Sequence, residues 1–226
     1  MLESTGMPPT LILASNSPRR RQLLALTGLP FTLRAANVDE TPAAGEHPGD
    51  YVLRLARSKA AAAAAGSAPG LYLGSDTTVA DGSEILGKPL DPPDAARMLR
   101  QLRGKEHTVY TAVALLDSAT GRETVELCAT RVPMRAYSDA EIETYVRSGD
   151  PLDKAGAYAI QHAQFNPVER FRGCYASVMG LPLCHLERAL RRIAAPSPAD
   201  VPAACQAALD YTCPVSAAIL RGEDAG

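Results

Sequence analysis

Three consecutive arginines, Arg19–Arg21, follow the stretch S-N-S-P near the start of this 226-residue chain. Ser17 suits the N-cap of a helix and Pro18 suits its first turn, which would put the arginines at a helix N-terminus. Cations at that end oppose the helix dipole and cost about 0.3–1 kcal/mol each. Free amides, the Ser15 hydroxyl and the guanidinium groups would together bind a phosphate or a carboxylate. The stretch therefore predicts an anion site, with arginines that simply face water as the alternative.

Two lysines extend this cationic set. A helix predicted over residues 50–66 places Lys59 on the same stripe as the apolar Val52 and Leu55. Such a lysine either snorkels to the edge of the apolar stripe or reaches into a cleft to meet an anion. Lys88, in the string G-K-P, is either one more phosphate contact or an ordinary loop lysine.

Carboxylates accompany these cations. Asp76 follows the apolar strand Leu71–Leu73, and residues just beyond the C-terminal end of a buried strand often line a ligand crevice. An ordinary turn or cap role for this aspartate is the alternative. Asp39 and Glu40 lie in the acidic turn V-D-E-T-P. One or two carboxylates beside cations are what a magnesium–phosphate site needs.

The elements that must position these residues alternate between strands and helices at first, and strands dominate later. This pattern predicts an α/β or mixed α+β fold with a mixed sheet. Asp81-Gly82 is a hairpin signal, and Ser138 with Glu141 forms a capping box. Residues 195–226, rich in Ala and Pro, are interpreted as an appended tail with a short helix at 203–209. The predicted strands are Leu11–Ala14, Phe31–Arg34, Leu71–Leu73, Thr108–Leu116 and Thr124–Val132, and the predicted helices start at Ser17, near Asp50, after Asp91, at Ser138 and after Pro182.

Composition argues against several classes of protein. The net charge is −2 and no basic stripe with aromatic side chains occurs, so we expect no nucleic-acid partner. Five cysteines without a C-x-x-C pair indicate neither a disulfide framework nor a zinc site, and predict free thiols. The sequence has no P-loop, no Rossmann glycine motif, no H-E-x-x-H and no G-x-S-x-G. It also shows no basic leader with an apolar core and no apolar run of about 18 residues, which predicts a cytoplasmic protein without membrane contact.

The sequence contains seven short strings in this order: L-A-S-N-S-P-R-R-R-Q-L-L, V-D-E-T-P, R-L-A-R-S-K-A, G-S-D-T-T-V, G-K-P, P-L-D-K-A-G-A-Y-A-I-Q and V-M-G-L-P-L. Together they span about residues 11–186 and resemble the Maf family of nucleotide pyrophosphatases. The resemblance implies a mixed α/β fold of two lobes around a deep cleft, similar to that of inosine triphosphate pyrophosphatases, and a homodimer. It further implies hydrolysis of a nucleoside triphosphate to the monophosphate and pyrophosphate with a divalent metal, Mg²⁺ or Mn²⁺. The family-like domain would cover residues 10–194, and residues 195–226 have no counterpart in it.

By motif position, the resemblance implies that Asp76 is the catalytic acid/base aspartate and that Glu40 is associated with the metal. Whether Asp76 acts as a base or as a metal ligand stays open. The polar and cationic residues of the cleft would be Ser15, Arg20, Lys59 and Lys88. Cations of this kind neutralise a triphosphate and stabilise the charge that spreads in the transition state.

The branch of the family that acts on dTTP and UTP resembles this chain at Arg19, Thr77 and Gln161. A second branch, which prefers 7-methylguanosine triphosphate, carries tryptophan and glutamate at the first and third of these places, and this chain has no tryptophan. A glutamine amide offers one donor and one acceptor to the N–H and carbonyl edge of uracil or thymine. The residues H-A-Q at 162–164 and G-C-Y at 173–175 depart from the family pattern. The alternative function is a nucleotide-binding regulator of septum formation without turnover.

Overall fold

The computed structural model describes residues 11–226 and shows a six-stranded sheet with helices packed against it. Two short 3₁₀ turns, Asp150–Asp153 and Ala155–Ala157, follow the fourth helix. The strands are β1 (Leu11–Leu13), β2 (Phe31–Leu33), β3 (Leu71–Asp81), β4 (Glu84–Leu86), β5 (Glu106–Asp117) and β6 (Arg122–Pro133). The helices are α1 (Pro18–Ala25), α2 (Pro48–Ala64), α3 (Pro92–Leu102), α4 (Asp139–Arg147), α5 (Tyr175–Val178), α6 (Leu183–Arg192), α7 (Val201–Leu209) and α8 (Ser216–Leu220). The predicted mixed α/β class is confirmed, whereas the two-lobed shape around a deep cleft stays a prediction.

Strand β3 is the centre of the sheet. The strand order is β2-β1-β3-β5-β6, with β4 paired to the end of β3. β1 runs parallel to β2 and β3, while β3, β5 and β6 form an antiparallel series. The predicted hairpin at Asp81-Gly82 joins β3 to β4, and the predicted long pair appears as β5 and β6. The sheet therefore changes from parallel to antiparallel at β3.

The prediction that the third strand ends before Asp76 is wrong. β3 continues to Asp81 because residues 74–80 pair in register with β5, from Gly74 opposite Ala114 to Ala80 opposite Thr108. The residues T-T-V are good strand formers, and the long partner strand supplies a continuous ladder for them. Asp76 thus lies inside a strand and is held by backbone pairing on the β5 side.

The other side of this part of β3 is open. β1 pairs with β3 only as far as Leu73, and β4 pairs with it only from Val79 onward. Across the stretch Gly74–Thr78, β5 is the only strand partner among residues 11–226. The end of β1 and the end of β4 therefore flank a gap along β3.

Helix starts follow the predicted capping residues. The Ser17 hydroxyl accepts from the Arg20 amide at the start of α1, and Pro18 occupies the first turn. Ser138 and Glu141 form the predicted reciprocal capping box of α4. The Asp91 carboxylate accepts from the Asp94 amide at the start of α3. Side-chain acceptors at these positions satisfy amides that a helix leaves free, which is why local sequence predicts the starts well.

The C-terminal segment 195–226 folds against the rest of the chain. The predicted helix at 203–209 is part of α7, and α8 was not predicted. Val201 and Ile219 are buried, and the Arg188 guanidinium donates to the backbone carbonyls of Ile219 and Glu223. All five cysteines are free thiols, as predicted. Within residues 11–226, no helix is both long and apolar enough to span a bilayer.

Candidate functional site

The side chains singled out from the sequence meet at one cavity of about 910 Å³. The cavity is lined by α1, α2, β3, the loops that follow β1 and β2, and the loops around Lys88 and Gln161. Arg21 is not among the lining residues, so two of the three neighbouring arginines reach the cavity. Asp39 is also absent from the lining and instead accepts from the Thr41 amide in its own turn. The predicted site residues on the cavity are Ser15, Arg19, Arg20, Glu40, Lys59, Asp76, Thr77, Lys88 and Gln161.

Lys59 links the two predicted acidic residues. Its Nζ lies 2.6 Å from Asp76 Oδ1 and 2.6 Å from Glu40 Oε1. The lysine is buried on α2, so it reaches into the cavity and does not snorkel to an edge. Gly74 makes this possible, because a Cβ there would lie 2.0 Å from the carbonyl oxygen of Ala56 on α2. The absent side chain lets α2 pack close enough to β3 for the ion pair to form.

The environments of the two carboxylates push their pKa values apart. Burial raises the pKa of Asp76 above its ordinary value, although the charges of Lys59 and Arg20 oppose the shift. Partial burial acts in the same direction on Glu40, but the hydrogen bond and charge of Lys59, with Lys88 and Arg20, lower its pKa overall. Two carboxyl groups separated in this way are typical of an acid–base site with divided roles. The ionised form is therefore favoured more strongly at Glu40 than at Asp76.

Arg20 is fixed by three polar contacts. Its Nε donates to the carbonyl of Gly180 at 2.9 Å, and Nη2 donates to the Thr77 hydroxyl at 3.3 Å. Nη1 lies 3.5 Å from the Ser15 hydroxyl. The Ser75 hydroxyl donates to the same Gly180 carbonyl, which anchors this loop to β3. Burial lowers the pKa of Arg20, and Asp76 opposes that shift.

Three other predicted residues line the cavity with uncommitted polar groups. The side chains of Arg19, Lys88 and Gln161 make no hydrogen bond or ion pair to another residue within 11–226. Two cations and one amide are therefore available to a ligand. The anion site predicted from the arginines at a helix N-terminus is consistent with this arrangement.

Lys154 and Tyr51 belong to the site and were not singled out from the sequence. Lys154 is a buried cation on the cavity, but its ammonium donates to the carbonyl and carboxylate of Asp150 and to Asp153. Its hydrogens are used within residues 150–154, so it shapes that turn. Tyr51 donates to the Glu40 carbonyl at 2.8 Å, and burial raises its pKa to about 12. The string D-K-A-G-A-Y is a signal that could have pointed to Lys154, whereas no local pattern points to Tyr51.

The donor set around Lys59 fits a divalent metal that also binds phosphate. Asp76 Oδ1 and Glu40 Oε1 can be no further apart than twice the 2.6 Å that each keeps from Lys59 Nζ. Mg²⁺ takes one or two carboxylates together with phosphate oxygens and water. No cluster of three or more potential His, Cys, Asp or Glu metal ligands occurs within residues 11–226, so substrate oxygens and water would complete the coordination.

Comparison with known proteins assigns the chain to a family. The family model described as Maf-like protein matches residues 10–193. The dTTP/UTP pyrophosphatase of Anaeromyxobacter dehalogenans strain 2CP-1 is 50% identical over 199 residues, covering 87% of this chain and all of the relative. The proteins of the same name from Geobacter sulfurreducens and Pelotomaculum thermopropionicum are each 46% identical, covering 82% and 80% of this chain and 97% and 95% of the relatives. On both grounds, the chain belongs to the Maf-like protein family.

Proposed function

We propose that this protein is a pyrophosphatase that hydrolyses dTTP and UTP to the nucleoside monophosphate and pyrophosphate. The observation that carries the proposal is the buried Lys59 ammonium held between Asp76 and Glu40 on a cavity lined by further cations. The names of the relatives support the reaction and the substrates. A protein that only sensed nucleotides would not need a buried carboxylate with a raised pKa beside an ionised one.

The cations on the cavity suit a triphosphate. Lys88 and Arg19 have free donors, and Arg20 is held rigidly beside them. Phosphoryl transfer depends on positioning and on neutralising charge that spreads over the phosphate oxygens. These side chains would bind the triphosphate.

Asp76 is the proposed general base. Burial raises the pKa of Asp76 toward neutral pH. A carboxylate with a raised pKa is a stronger base, so it accepts a proton from an attacking water more readily than an ordinary aspartate does. Lys59 keeps it ionised and fixes its position through the 2.6 Å contact. Glu40, together with phosphate oxygens and water, would hold Mg²⁺ or Mn²⁺. The metal, when bound, supplies charge to neutralise phosphate oxygens.

Substrate choice is assigned to Arg19, Thr77 and Gln161. The free Gln161 amide can donate to a ring carbonyl of uracil or thymine. A carboxylate at that position would repel the carbonyl and suit the two N–H donors of guanine. Lys154 lines the same cavity as Gln161, and its ion pairs with Asp150 and Asp153 hold the turn that precedes the segment carrying Gln161.

We also propose that residues 10–194 form the catalytic unit and that residues 195–226 are an appended segment. All residues that line the cavity lie between Ala14 and Gly180. The appended segment packs on α6 and contributes none of them. Removal of the segment would therefore affect stability before it affected chemistry.

The test is a panel of nucleoside triphosphates that includes 7-methylguanosine triphosphate, assayed with Mg²⁺ or Mn²⁺ and resolving pyrophosphate from single phosphate. We expect pyrophosphate mainly from dTTP and UTP. Gln161→Glu should lower kcat/KM for both relative to 7-methylguanosine triphosphate, whereas the matched Gln164→Glu, which lies outside the cavity lining, should not. Binding of dTTP without turnover under these conditions would contradict the proposal and favour the septum regulator.

A further inference from the structure

A buried threonine behind the cavity controls the hydroxyl of Thr77. Thr111 lies on β5, directly opposite Thr77 on β3, and is fully buried. Its Oγ1 is 3.0 Å from Thr77 Oγ1 and 2.9 Å from the backbone carbonyl of Ser177. Arg20 Nη2 approaches the Thr77 hydroxyl from the other side at 3.3 Å. Thr77 itself is half-buried and lines the cavity.

The direction of each hydrogen bond in the series Arg20–Thr77–Thr111–Ser177 follows from the groups involved. A carbonyl accepts only, so the single Thr111 proton is donated to Ser177. Thr111 Oγ1 then has no proton for Thr77 and must accept the Thr77 proton. A guanidinium donates only, so Arg20 donates to Thr77. The Thr77 proton is therefore committed to the protein, and the hydroxyl offers a ligand only a lone pair.

We propose that Thr111 is a positioning residue that makes Thr77 a hydrogen-bond acceptor toward the base, and that Thr77 accepts the ring N3–H of thymine or uracil. This inference rests on the proposed function and deepens it. An ionised phosphate has no proton to donate, so the triphosphate cannot bind at Thr77. Cytosine has an unprotonated N3 where thymine has N3–H, so the same oxygen would face a second acceptor. An unpaired or opposed buried polar group is costly, and this makes the contact selective.

Binding is the direct test, with α,β-methylene triphosphates of thymidine and deoxycytidine as probes so that turnover does not matter. We expect the wild-type protein to bind the thymidine probe at least tenfold more tightly. Thr111→Val removes the acceptor for the Thr77 proton, which frees Thr77 to donate, so the ratio of the two Kd values should fall about tenfold. Thr111→Ser keeps the hydroxyl and should keep the ratio. A purely structural role would weaken both probes equally and leave the ratio unchanged, which would overturn the proposal.

A second arm uses only the wild-type protein and so does not depend on how Thr111→Val folds. The N3-methyl thymidine probe lacks the ring proton and should lose at least tenfold in affinity. A 3′-deoxythymidine probe, which lacks the sugar hydroxyl, should bind like the parent. The opposite result would place the sugar hydroxyl at Thr77 and overturn the base assignment. If the thymidine probe binds selectively while dTTP is not hydrolysed, the proposed function fails and the inference about Thr111 stands.

Discussion

Replacing Lys59 with methionine would leave Asp76 and Glu40 facing each other without the ammonium between them. Both carboxylate oxygens lie 2.6 Å from the lysine nitrogen, so they are at most about 5 Å apart. At that separation, with an effective dielectric of about 20, two unit charges repel by about 3 kcal/mol. The Glu40 side chain is 51% exposed, and solvent screening at that end reduces the repulsion to about half.

The remaining repulsion of about 1.5 kcal/mol corresponds to about one pKa unit. It falls on Asp76, whose pKa burial already raises. Lys59 also lowers the pKa of Asp76 by direct attraction, so its loss raises that pKa further. One pKa unit is therefore the minimum expected shift. An aspartate that must be ionised to accept a proton loses activity as the pH falls through its pKa. The acid side of the pH–rate profile should therefore move to higher pH in Lys59→Met.

The assay is kcat/KM for dTTP from about pH 5 to 9, with pyrophosphate as the measured product. In Lys59→Met, we expect the acid limb to move up by at least about one pH unit, with partial recovery of activity at high pH. Lys88→Met is the matched control, because Lys88 lines the same cavity but has no ion-pair partner within residues 11–226. It should lower kcat/KM and leave the acid limb in place. A folded Lys59→Met protein with an unmoved acid limb would refute the assignment of Asp76 as the base.

Three further predictions follow from the site and the sheet. Asp76→Asn should lower kcat by about 10²–10⁴ with an unchanged circular dichroism spectrum, and activity near the wild-type level would remove it from the catalytic role. Gly74→Ala should cost about 3 kcal/mol in chemical denaturation, because its Cβ would meet a backbone oxygen, whereas Gly87→Ala, in open space, should cost almost nothing. Burial lowers the pKa of His107 to about 4 from its ordinary value near 6.5, so unfolding takes up a proton between these values. Stability should then fall by about 3 kcal/mol from pH 6.5 to 4, and His107→Gln, which can keep a bond to Tyr158, should lose that part of the acid sensitivity.

Local chemistry predicted much of the fold and most of the candidate site. Ser17, Asp91 and Ser138 act within one turn of sequence, so their capping roles could be inferred without knowledge of the rest of the chain. The length of β3 could not, because its second half depends on pairing with β5, about 30 residues later. A strand that ended at Leu73 was the natural interpretation of the apolar run alone.

The same distinction applies to the site residues. An out-of-place charge on an apolar stripe marked Lys59, although only the approach of α2 to β3 shows that Asp76 and Glu40 share it. Lys154 is the opposite case. In the sequence it looks as available to a ligand as Lys59 does, but in the structure it is paired with Asp150 and Asp153. No sequence pattern points to Thr111. Its proposed role depends on the Thr77 hydroxyl and the Ser177 carbonyl, which only the fold brings next to it.

The open side of β3 between β1 and β4 has a consequence for mutagenesis. Alternate peptide groups of Gly74–Thr78 point to that side, where no strand among residues 11–226 pairs with them. Any ligand atom bound there would be held by main-chain N–H and C=O groups, which every residue except proline provides equally. Alanine scanning along the strand would leave such contacts intact and would underestimate what β3 contributes to binding. Only proline, or an ester in place of an amide, would reveal them.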